Sequence, residues 1–301
     1  MSRRTRVHQT TGVSADTLSA ILQDPISTLT LVITSPSTSM VHTVVTEIVT
    51  EVASAEIEAT AIVVALGLVA AAAARHRHRY SPAVSVLGFA LALFTLAVAV
   101  RTDGWATHAD APITGWLVDH RTSTLNHLAV VVTSAGGPPE TAALGCVIAA
   151  LLIWRTKRYV PALILLATVG VSAVICTLLK LLVGRERPPS ATRLVLETDH
   201  SFPSGHVTGT ATLLLMTVLV VGHLSRTRRV ALLIAALAVT ALVAASRLYL
   251  GVHWFTDVAA GLLLACIMVT AGTIALRVDA AHAHRPPRHR TEPSIDDEVT
   301  V

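Results

Sequence analysis

Long apolar runs separated by short polar segments dominate the chain from residue 57 onward. The runs cover residues 57–74, 83–100, 139–154, 160–182, 206–223, 230–248 and 254–276. Most of them are close to the length of about 20 residues that an α-helix needs to cross a bilayer, and 57–74 is near the minimum. The pattern predicts an all-α fold, a polytopic membrane helical bundle with six core transmembrane helices and an additional N-terminal span.

The same pattern divides the chain into four parts. Residues 1–56 are rich in Thr, Ser and Val and are expected to form a poorly ordered extension or an amphipathic helix. Residues 57–79 are assigned to the additional span and a basic loop, and residues 80–276 to a six-helix domain. Residues 277–301, which contain Pro286-Pro287 and several Arg and His residues, are expected to form a disordered cytoplasmic tail.

Composition supports the membrane assignment and narrows the class of partner. Hydrophobic residues make up 52% of the 301 residues and charged residues only 14%, whereas soluble domains average about 25% charged residues. The net charge of +4 comes from basic residues in short clusters between apolar runs, so membrane lipids and not nucleic acid are the expected partner. Cys146, Cys176 and Cys266 all lie inside apolar runs and form no CxxC metal pair.

The basic clusters predict which loops face the cytoplasm. They occur at every second loop: Arg75/Arg77/Arg79, Arg155/Lys157/Arg158, Arg226/Arg228/Arg229 and Arg277/Arg285/Arg288. The positive-inside rule places these loops and the C-terminus in the cytoplasm, with seven spans and an external N-terminus. If 57–74 does not span, six spans remain and both termini are cytoplasmic. Either way, three polar islands in the second half of the chain lie on the outer side.

The first island runs from Lys180 to Pro188 and supplies two cations. Lys180 and Arg187 are seven residues apart, which is two helical turns, so both can point the same way at the end of one helix that Pro188 terminates. An ammonium and a planar guanidinium together suit phosphate oxygens. The alternative is a pair of cations that mark the membrane boundary, a role better suited to Arg185 and Glu186 between them.

The other two islands add histidines and a carboxylate. Pro203-Ser204-Gly205-His206 precedes a span, where a hydroxyl and backbone N–H groups at a helix N-terminus favour an anion. Further on, His253 and Asp257 are four residues apart and are expected on one face of the last span, with Arg247 shortly before them. A carboxylate can hold one ring nitrogen of a histidine protonated and leave the other free as a nucleophile.

In chain order, the three islands read Lys-x6-Arg-Pro, Pro-Ser-Gly-His and Ser-Arg-x5-His-x3-Asp. This set of patterns resembles the three-part signature of the type 2 phosphatidic acid phosphatase (lipid phosphate phosphatase) and vanadium haloperoxidase superfamily. The resemblance is to its membrane branch and covers residues 83–276. It implies that His253 is the nucleophile, Asp257 its partner and His206 the general acid. It also implies a phosphate-binding set: Lys180, Arg187, Ser204, Gly205 and Arg247.

The implied activity is metal-independent hydrolysis of a lipid phosphate or diphosphate through a phosphohistidine, at the extracytoplasmic face of the cell membrane. Substrates implied by the family are phosphatidic acid, phosphatidylglycerol phosphate and polyprenyl (di)phosphates, among which the sequence does not choose. No metal site and no cofactor is expected, and the sequence does not indicate an oligomeric state. Residues 189–202, which include Arg193, Glu197, Asp199 and His200, are expected to lie over the site and to help select the headgroup. Arg193 is either a substrate contact or, in the favoured interpretation, a solvated loop charge.

Three other functions are compatible with parts of this pattern. A transporter or flippase would also use intramembrane cations to bind a lipid phosphate, but it does not need a His-Asp pair and a second histidine. A vanadate-dependent haloperoxidase would use the same residues, but those enzymes are soluble. A catalytically silent scaffold would not require the complete signature.

Overall fold

The structure, a computed structural model, describes residues 36–74, 81–221 and 224–283. Within these ranges all regular secondary structure is helical, which confirms the all-α prediction. The α-helices are α1 Pro36–Ala74, α2 Ser81–Thr102, α3 Asp110–Asp119, α4 Ser123–Ala135, α5 Pro138–Thr156, α6 Val160–Val183, α7 Gly205–Val220, α8 Arg226–Tyr249 and α9 Phe255–Ala283. Short 3-10 turns at Trp105–Thr107 and Ser190–Thr192 lie in the loops after α2 and α6.

Six helical segments of the described chain are long and apolar enough to cross a membrane. They are Ala55–Ala73, Ser81–Thr102, Pro138–Thr156, Val160–Val183, Arg226–Tyr249 and Phe255–His282. The protein is therefore a multi-pass membrane protein. The predicted run 206–223 corresponds to α7, which has only 16 residues and is thus about 24 Å long, less than the hydrocarbon core of about 30 Å.

The chain ends differ from the predicted boundaries. The predicted span 57–74 is the C-terminal part of α1, which begins at Pro36, and α9 continues past residue 276 to Ala283. Residues 1–35, the basic cluster Arg75/Arg77/Arg79 and the tail from residue 284 lie outside the described residues. By its internal contacts the chain divides into two units, Met1–Ser54 and Ala55–Val301, and the polar islands all belong to the second.

Within the second unit, the C-terminal part of α1 packs closely on α2. A Cβ atom added at Gly88 of α2 would lie 2.8 Å from the Ala65 carbonyl oxygen, so only glycine permits this approach. The Ser81 hydroxyl donates a hydrogen bond to the Ala72 carbonyl. Near the other end of the segment, the buried Glu58 carboxylate accepts a hydrogen bond of 3.1 Å from the Ala106 N–H.

The short helix α7 lies at the centre of the bundle, in contact with α5, α6, α8 and α9. Val207, Leu213 and Met216 of this helix are fully buried. At its N-terminus it meets α9 at close range, because a Cβ atom at Gly261 would lie 2.8 Å from the Ser204 carbonyl oxygen. The packing of α7 on its neighbours therefore fixes the position of the Pro-Ser-Gly-His segment.

The three polar islands meet at one end of the bundle. The Ser204 N–H donates to the Asp257 carbonyl at 3.0 Å, which joins the start of α7 to the start of α9. The end of α6 and the end of α8 lie at the same place. At the opposite end, Arg158 forms an ion pair of 2.7 Å with Asp279 and connects the start of α6 to the end of α9.

Candidate active site

The two cations of the first island face one carboxylate, although they do not share a helix. Gly184 has a φ of +66° and ends α6 at Val183, so the prediction that Lys180 and Arg187 lie on one helix is wrong. Arg187 lies in the following loop. It reaches Asp199 at 2.6 Å, and Lys180 reaches the other oxygen of Asp199 at 3.1 Å.

The second island forms the N-terminus of α7. Ser204 is the N-cap residue, but its hydroxyl makes no capping hydrogen bond. It is buried and finds no hydrogen-bond partner within the described part of the chain. Gly205 and His206 occupy the first turn, where backbone N–H groups lack intrahelical acceptors. A free buried hydroxyl beside such N–H groups is a site suited to an anion.

Arg247, at the C-terminal end of α8, is almost completely buried. It donates hydrogen bonds to the Thr133 hydroxyl at 2.7 Å and to the Glu197 carboxylate, and it lies 3.3 Å from Nε2 of His206. Gly251, with a φ of +69°, turns the chain back after α8, and a Cβ there would collide with the Thr192 carbonyl. The turn brings His253 to the same cluster of cations.

His253 and Asp257 form a buried pair across the start of α9. His253 precedes the helix, which begins at Phe255, so the expectation that both lie on one helical face is wrong. Nδ1 of His253 is 3.4 Å from Oδ2 of Asp257, and Nε2 is 3.3 Å from the Arg187 guanidinium. This orientation places the proton on Nδ1 and leaves the lone pair of Nε2 directed toward the cations.

The surroundings of His253 favour its uncharged form. Burial and the positive charges of Arg247, Arg187 and Lys180 hold the pKa of His253 well below its ordinary value of 6.5. At neutral pH the imidazole is therefore neutral, as a nitrogen nucleophile must be.

Two carboxylates of the loop after α6 occupy the place where the cations converge. Burial opposes the ionisation of Asp199, but Lys180 and the hydrogen bonds from Arg187 and Lys180 override it and lower its pKa to about 2. Burial likewise opposes ionisation of Glu197, and Arg247 and Arg187 lower its pKa overall. Carboxylate oxygens thus mark positions that phosphate oxygens can take.

The structure also brings to the site two residues, Arg185 and Asp110, that the sequence did not assign to it. Arg185, which the sequence suggested as a boundary charge, forms ion pairs of 2.6 Å with both Asp257 and Asp110. That interpretation of Arg185 is wrong, because its side chain is only 13% exposed. The sequence could not predict these contacts, because the partners are far apart along the chain. Asp110 is 75 residues from Arg185 and 146 residues from Thr256, its other partner.

A cavity of about 570 Å³ leads away from this cluster between α5 and α6. Its polar end is formed by Lys180, Arg187, His206 and His253, together with Glu197 and Asp199. Its other walls are mostly small or apolar residues of α5, α6 and α7: Ala142, Gly145, Cys146, Leu166, Val169, Gly170, Ala173 and Gly209. Cys146 lines the cavity and is exposed, so the cavity opens at the surface of the bundle.

The donor set at the site suits an anion better than a cation. Among the described residues, no group of three or more His, Cys, Asp or Glu side chains is placed to hold a metal ion. The carboxylates nearest the histidines are already paired with guanidinium or ammonium groups.

Comparison with known proteins links this geometry to one family. The sequence profile of the PAP2 superfamily matches residues 161–278, the part of the chain that contains all three islands. Phosphatidylglycerophosphatase B of Bacillus subtilis (strain 168) is 31% identical over 182 residues, which are 59% of this chain and 88% of that protein.

Two crystal structures were matched, of which the first resembles the fold. One is the first transmembrane PAP2 type phosphatidylglycerolphosphate phosphatase from Bacillus subtilis, with a TM-score of 0.57 and 28% identity over 70% of this chain and 100% of that one. The other, Aquifex aeolicus LpxE, gives a TM-score of 0.41 and 22% identity over 56% of this chain and 95% of that one.

Proposed function

The chain belongs to the PAP2 superfamily, and from that membership we propose that it is an integral-membrane phosphatase that hydrolyses a lipid phosphate or diphosphate. The comparisons confirm the resemblance seen in the sequence motifs. The matched residues include every position of the three-part signature, from Lys180 to Asp257.

The cavity is the observation that carries this proposal. Two cations and two histidines at its polar end, with Arg247 beside His206, can bind a phosphate, and an apolar groove between α5 and α6 begins beside them. Small residues such as Gly145 and Gly170 leave the space that an acyl or prenyl chain requires. A phosphate ester with a long hydrocarbon tail fits both parts at once, whereas a soluble phosphate fits only the first.

In the proposed first step, Nε2 of His253 attacks phosphorus and the bond from phosphorus to the ester oxygen breaks. Asp257 accepts the Nδ1–H and stabilises the positive charge that develops on the ring. His206 lies beside Arg247 at the start of α7 and gives a proton to the departing lipid oxygen. The products of this step are the lipid alcohol and a phosphohistidine at residue 253.

In the second step, water attacks the phosphorus of the phosphohistidine. His206, now unprotonated, takes a proton from that water, the N–P bond breaks and inorganic phosphate leaves. The imidazole of His253 is restored as the neutral nucleophile. Each turnover therefore consumes one water and returns both histidines to their starting protonation states.

The three equatorial oxygens of the transferred phosphoryl group are proposed to be held by Lys180, Arg187 and Arg247, together with the Ser204 hydroxyl and the Gly205 N–H. Phosphoryl transfer depends mainly on positioning and on neutralising the spreading negative charge. Fixed cations and helix N–H groups supply both without a divalent ion, so the proposed reaction is metal-independent. Asp199 and Glu197 must leave these cations when substrate binds.

The relatives suggest which lipid to test first. The Bacillus subtilis relative and the Bacillus subtilis crystal structure are both named as phosphatidylglycerophosphate phosphatases and are not independent of each other. This name makes phosphatidylglycerol phosphate the leading substrate, with phosphatidic acid and polyprenyl (di)phosphates as alternatives. The active site is proposed to face the extracytoplasmic side, because Arg155, Lys157, Arg158 and the Arg226–Arg229 segment lie at the opposite ends of their helices.

The proposal is tested by measuring phosphate release from a panel of these lipids by the purified protein in detergent, with excess EDTA. His253→Ala is expected to lower release by about 10³-fold or more, because the nucleophile is lost. His127→Ala is the matched control, an exposed histidine of α4 that does not line the cavity, and it should retain full activity. Release that stops in EDTA would overturn the metal-independent mechanism.

A transporter of lipid phosphates is the alternative class. It predicts no phosphate release from any lipid and movement of a labelled lipid phosphate between leaflets of proteoliposomes, with His253→Ala still active. The phosphatase predicts the reverse for both measurements.

A further inference from the structure

Two charged residues that are largely shielded from solvent have no part in the reaction described above. Arg185 and Asp110 have side chains that are 13% and 5% exposed, respectively. Burying a charge is unfavourable unless it is paired and hydrogen-bonded. Both lie immediately behind the His253–Asp257 pair, on the side away from the cavity, since neither lines it.

Arg185 bridges two carboxylates with one guanidinium. Nη1 donates to Oδ1 of Asp257 at 2.6 Å and to the Thr256 hydroxyl at 2.7 Å. Nη2 donates to Oδ2 of Asp110 at 2.6 Å. The Trp254 ring covers the guanidinium at 5.5 Å from its centroid. A planar guanidinium that makes this many contacts is fixed in one orientation.

Asp110 anchors this arrangement from a distant helix. One of its carboxylate oxygens accepts the Thr256 N–H at 2.9 Å, and the other accepts the Thr256 hydroxyl at 2.6 Å. Asp110 thus satisfies a free N–H of the first turn of α9 from the first turn of α3. It fixes the start of α9, and with it the backbone that carries Asp257.

The result is that every oxygen of Asp257 has an assigned partner. Oδ1 is held by Arg185, and Oδ2 accepts the Trp254 N–H at 2.9 Å and faces Nδ1 of His253. Without Arg185, the carboxylate can rotate away from the imidazole, and two buried carboxylates lose their shared counter-charge. The Nδ1–H tautomer that leaves Nε2 free then loses its support.

We infer that Arg185, supported by Asp110, is a positioning residue of the phosphatase reaction: it orients the Asp257 carboxylate so that His253 presents Nε2 to phosphorus. The inference rests on the proposed function. It assigns to Arg185 a role separate from that of Arg187, two residues later, which binds the phosphate itself.

The test compares kcat, KM and inhibition by vanadate for the wild type, Arg185→Gln, Arg185→Lys and Asp110→Asn. Arg185→Gln should lower kcat by about 10²-fold, the usual consequence of misplacing a reacting group by about 1 Å. KM and the vanadate inhibition constant should stay within about threefold, because the phosphate-binding cations are untouched. Arg185→Lys should recover part of kcat, and Asp110→Asn should show a smaller loss in kcat only.

Arg193→Gln is the matched control. Arg193 lies in the same loop, but its guanidinium donates to the main-chain carbonyls of Pro188 and Arg187 and to no carboxylate. Its kcat should remain within about threefold of the wild type. A loss equal to that of Arg185→Gln would show that any arginine removed from this loop disturbs the site, and would overturn the inference.

A double-mutant cycle separates positioning from general damage. If Arg185 acts through Asp257, Arg185→Gln should cause no further loss of kcat in an Asp257→Asn background. Multiplicative losses, or an increase in KM and in the vanadate inhibition constant together, would overturn the inference.

If Arg185→Gln does not fold, Arg185→Lys and Asp110→Asn decide by the same criteria. A wild type that releases no phosphate overturns the proposed function, and the inference with it; an active wild type with an unaffected Arg185→Gln overturns the inference alone.

Discussion

His253 is an uncharged side chain surrounded by cations. An imidazole in this position loses its proton more readily than one in water, since burial and the three neighbouring positive charges all disfavour the imidazolium. The cations that are proposed to bind the phosphate therefore also keep the proposed nucleophile uncharged, so that it would need no separate base.

The pH dependence of kcat/KM follows from this environment. The active form of His253 is neutral, and its pKa lies well below 6.5, so the neutral form persists as pH falls through 6.5. We expect the acidic limb of kcat/KM, which reports the free enzyme, to lie below pH 6.5. The rates must first be corrected for ionisation of the substrate phosphate, whose second pKa is about 6. A corrected limb at or above 6.5 would contradict the neutral-nucleophile interpretation.

Asp199 competes with substrate for two of the cations. Its carboxylate pairs with Lys180 and Arg187, and a phosphate must displace it. Asp199→Asn should lower KM by about fivefold, the size expected for a partly exposed ion pair, with kcat nearly unchanged. Steady-state kinetics on mixed micelles measure both.

The control for Asp199→Asn is Asp119→Asn, which removes an equal charge from an exposed position on α3 and should leave KM unchanged. A higher KM in Asp199→Asn would instead indicate that this carboxylate contacts the substrate headgroup.

At the scale of helices, the geometry of the site depends on how closely α9 approaches the start of α7. Gly261→Ala would place a Cβ atom 2.8 Å from the Ser204 carbonyl, a backbone atom that can move away only if the N-terminus of α7 shifts. We expect kcat to fall by roughly 10- to 100-fold, because Ser204 and His206 move with that turn. Activity and thermal stability should be compared with Gly115→Ala in α3, where a Cβ meets no atom within 4 Å.

The length of the apolar runs predicted the existence and order of the core helices, since these runs are long and contain few charges. It misplaced particular ends. Gly184 stops α6 before Arg187, in a left-handed conformation that a run of apolar residues gives no sign of. The sequence also predicted that Lys180, His206, Arg247 and His253 meet, because charge placed their ends on one side of the membrane. It did not predict the Arg185–Asp110 pair, because that contact joins α3 to the loop after α6 and follows no local spacing.

For the whole molecule, the positive-inside argument makes a prediction about sidedness. In a variant without the three native cysteines, Leu196→Cys should react with a membrane-impermeant maleimide in intact cells, since Leu196 is 88% exposed in the loop over the site. Arg228→Cys, at the opposite end of α8, should react only after the cells are lysed. The reverse pattern would place the active site in the cytoplasm.

The opening of the cavity between α5 and α6 bears on which substrate concentration controls the rate of this protein. If the proposed lipid substrate enters through this groove, it arrives from within the leaflet, and it reaches His253 by two-dimensional diffusion. The relevant variable in the rate law is then the mole fraction of substrate in the bilayer. We therefore expect that diluting the lipid phosphate with inert lipid at constant bulk concentration slows turnover, and that adding water to the same vesicles does not.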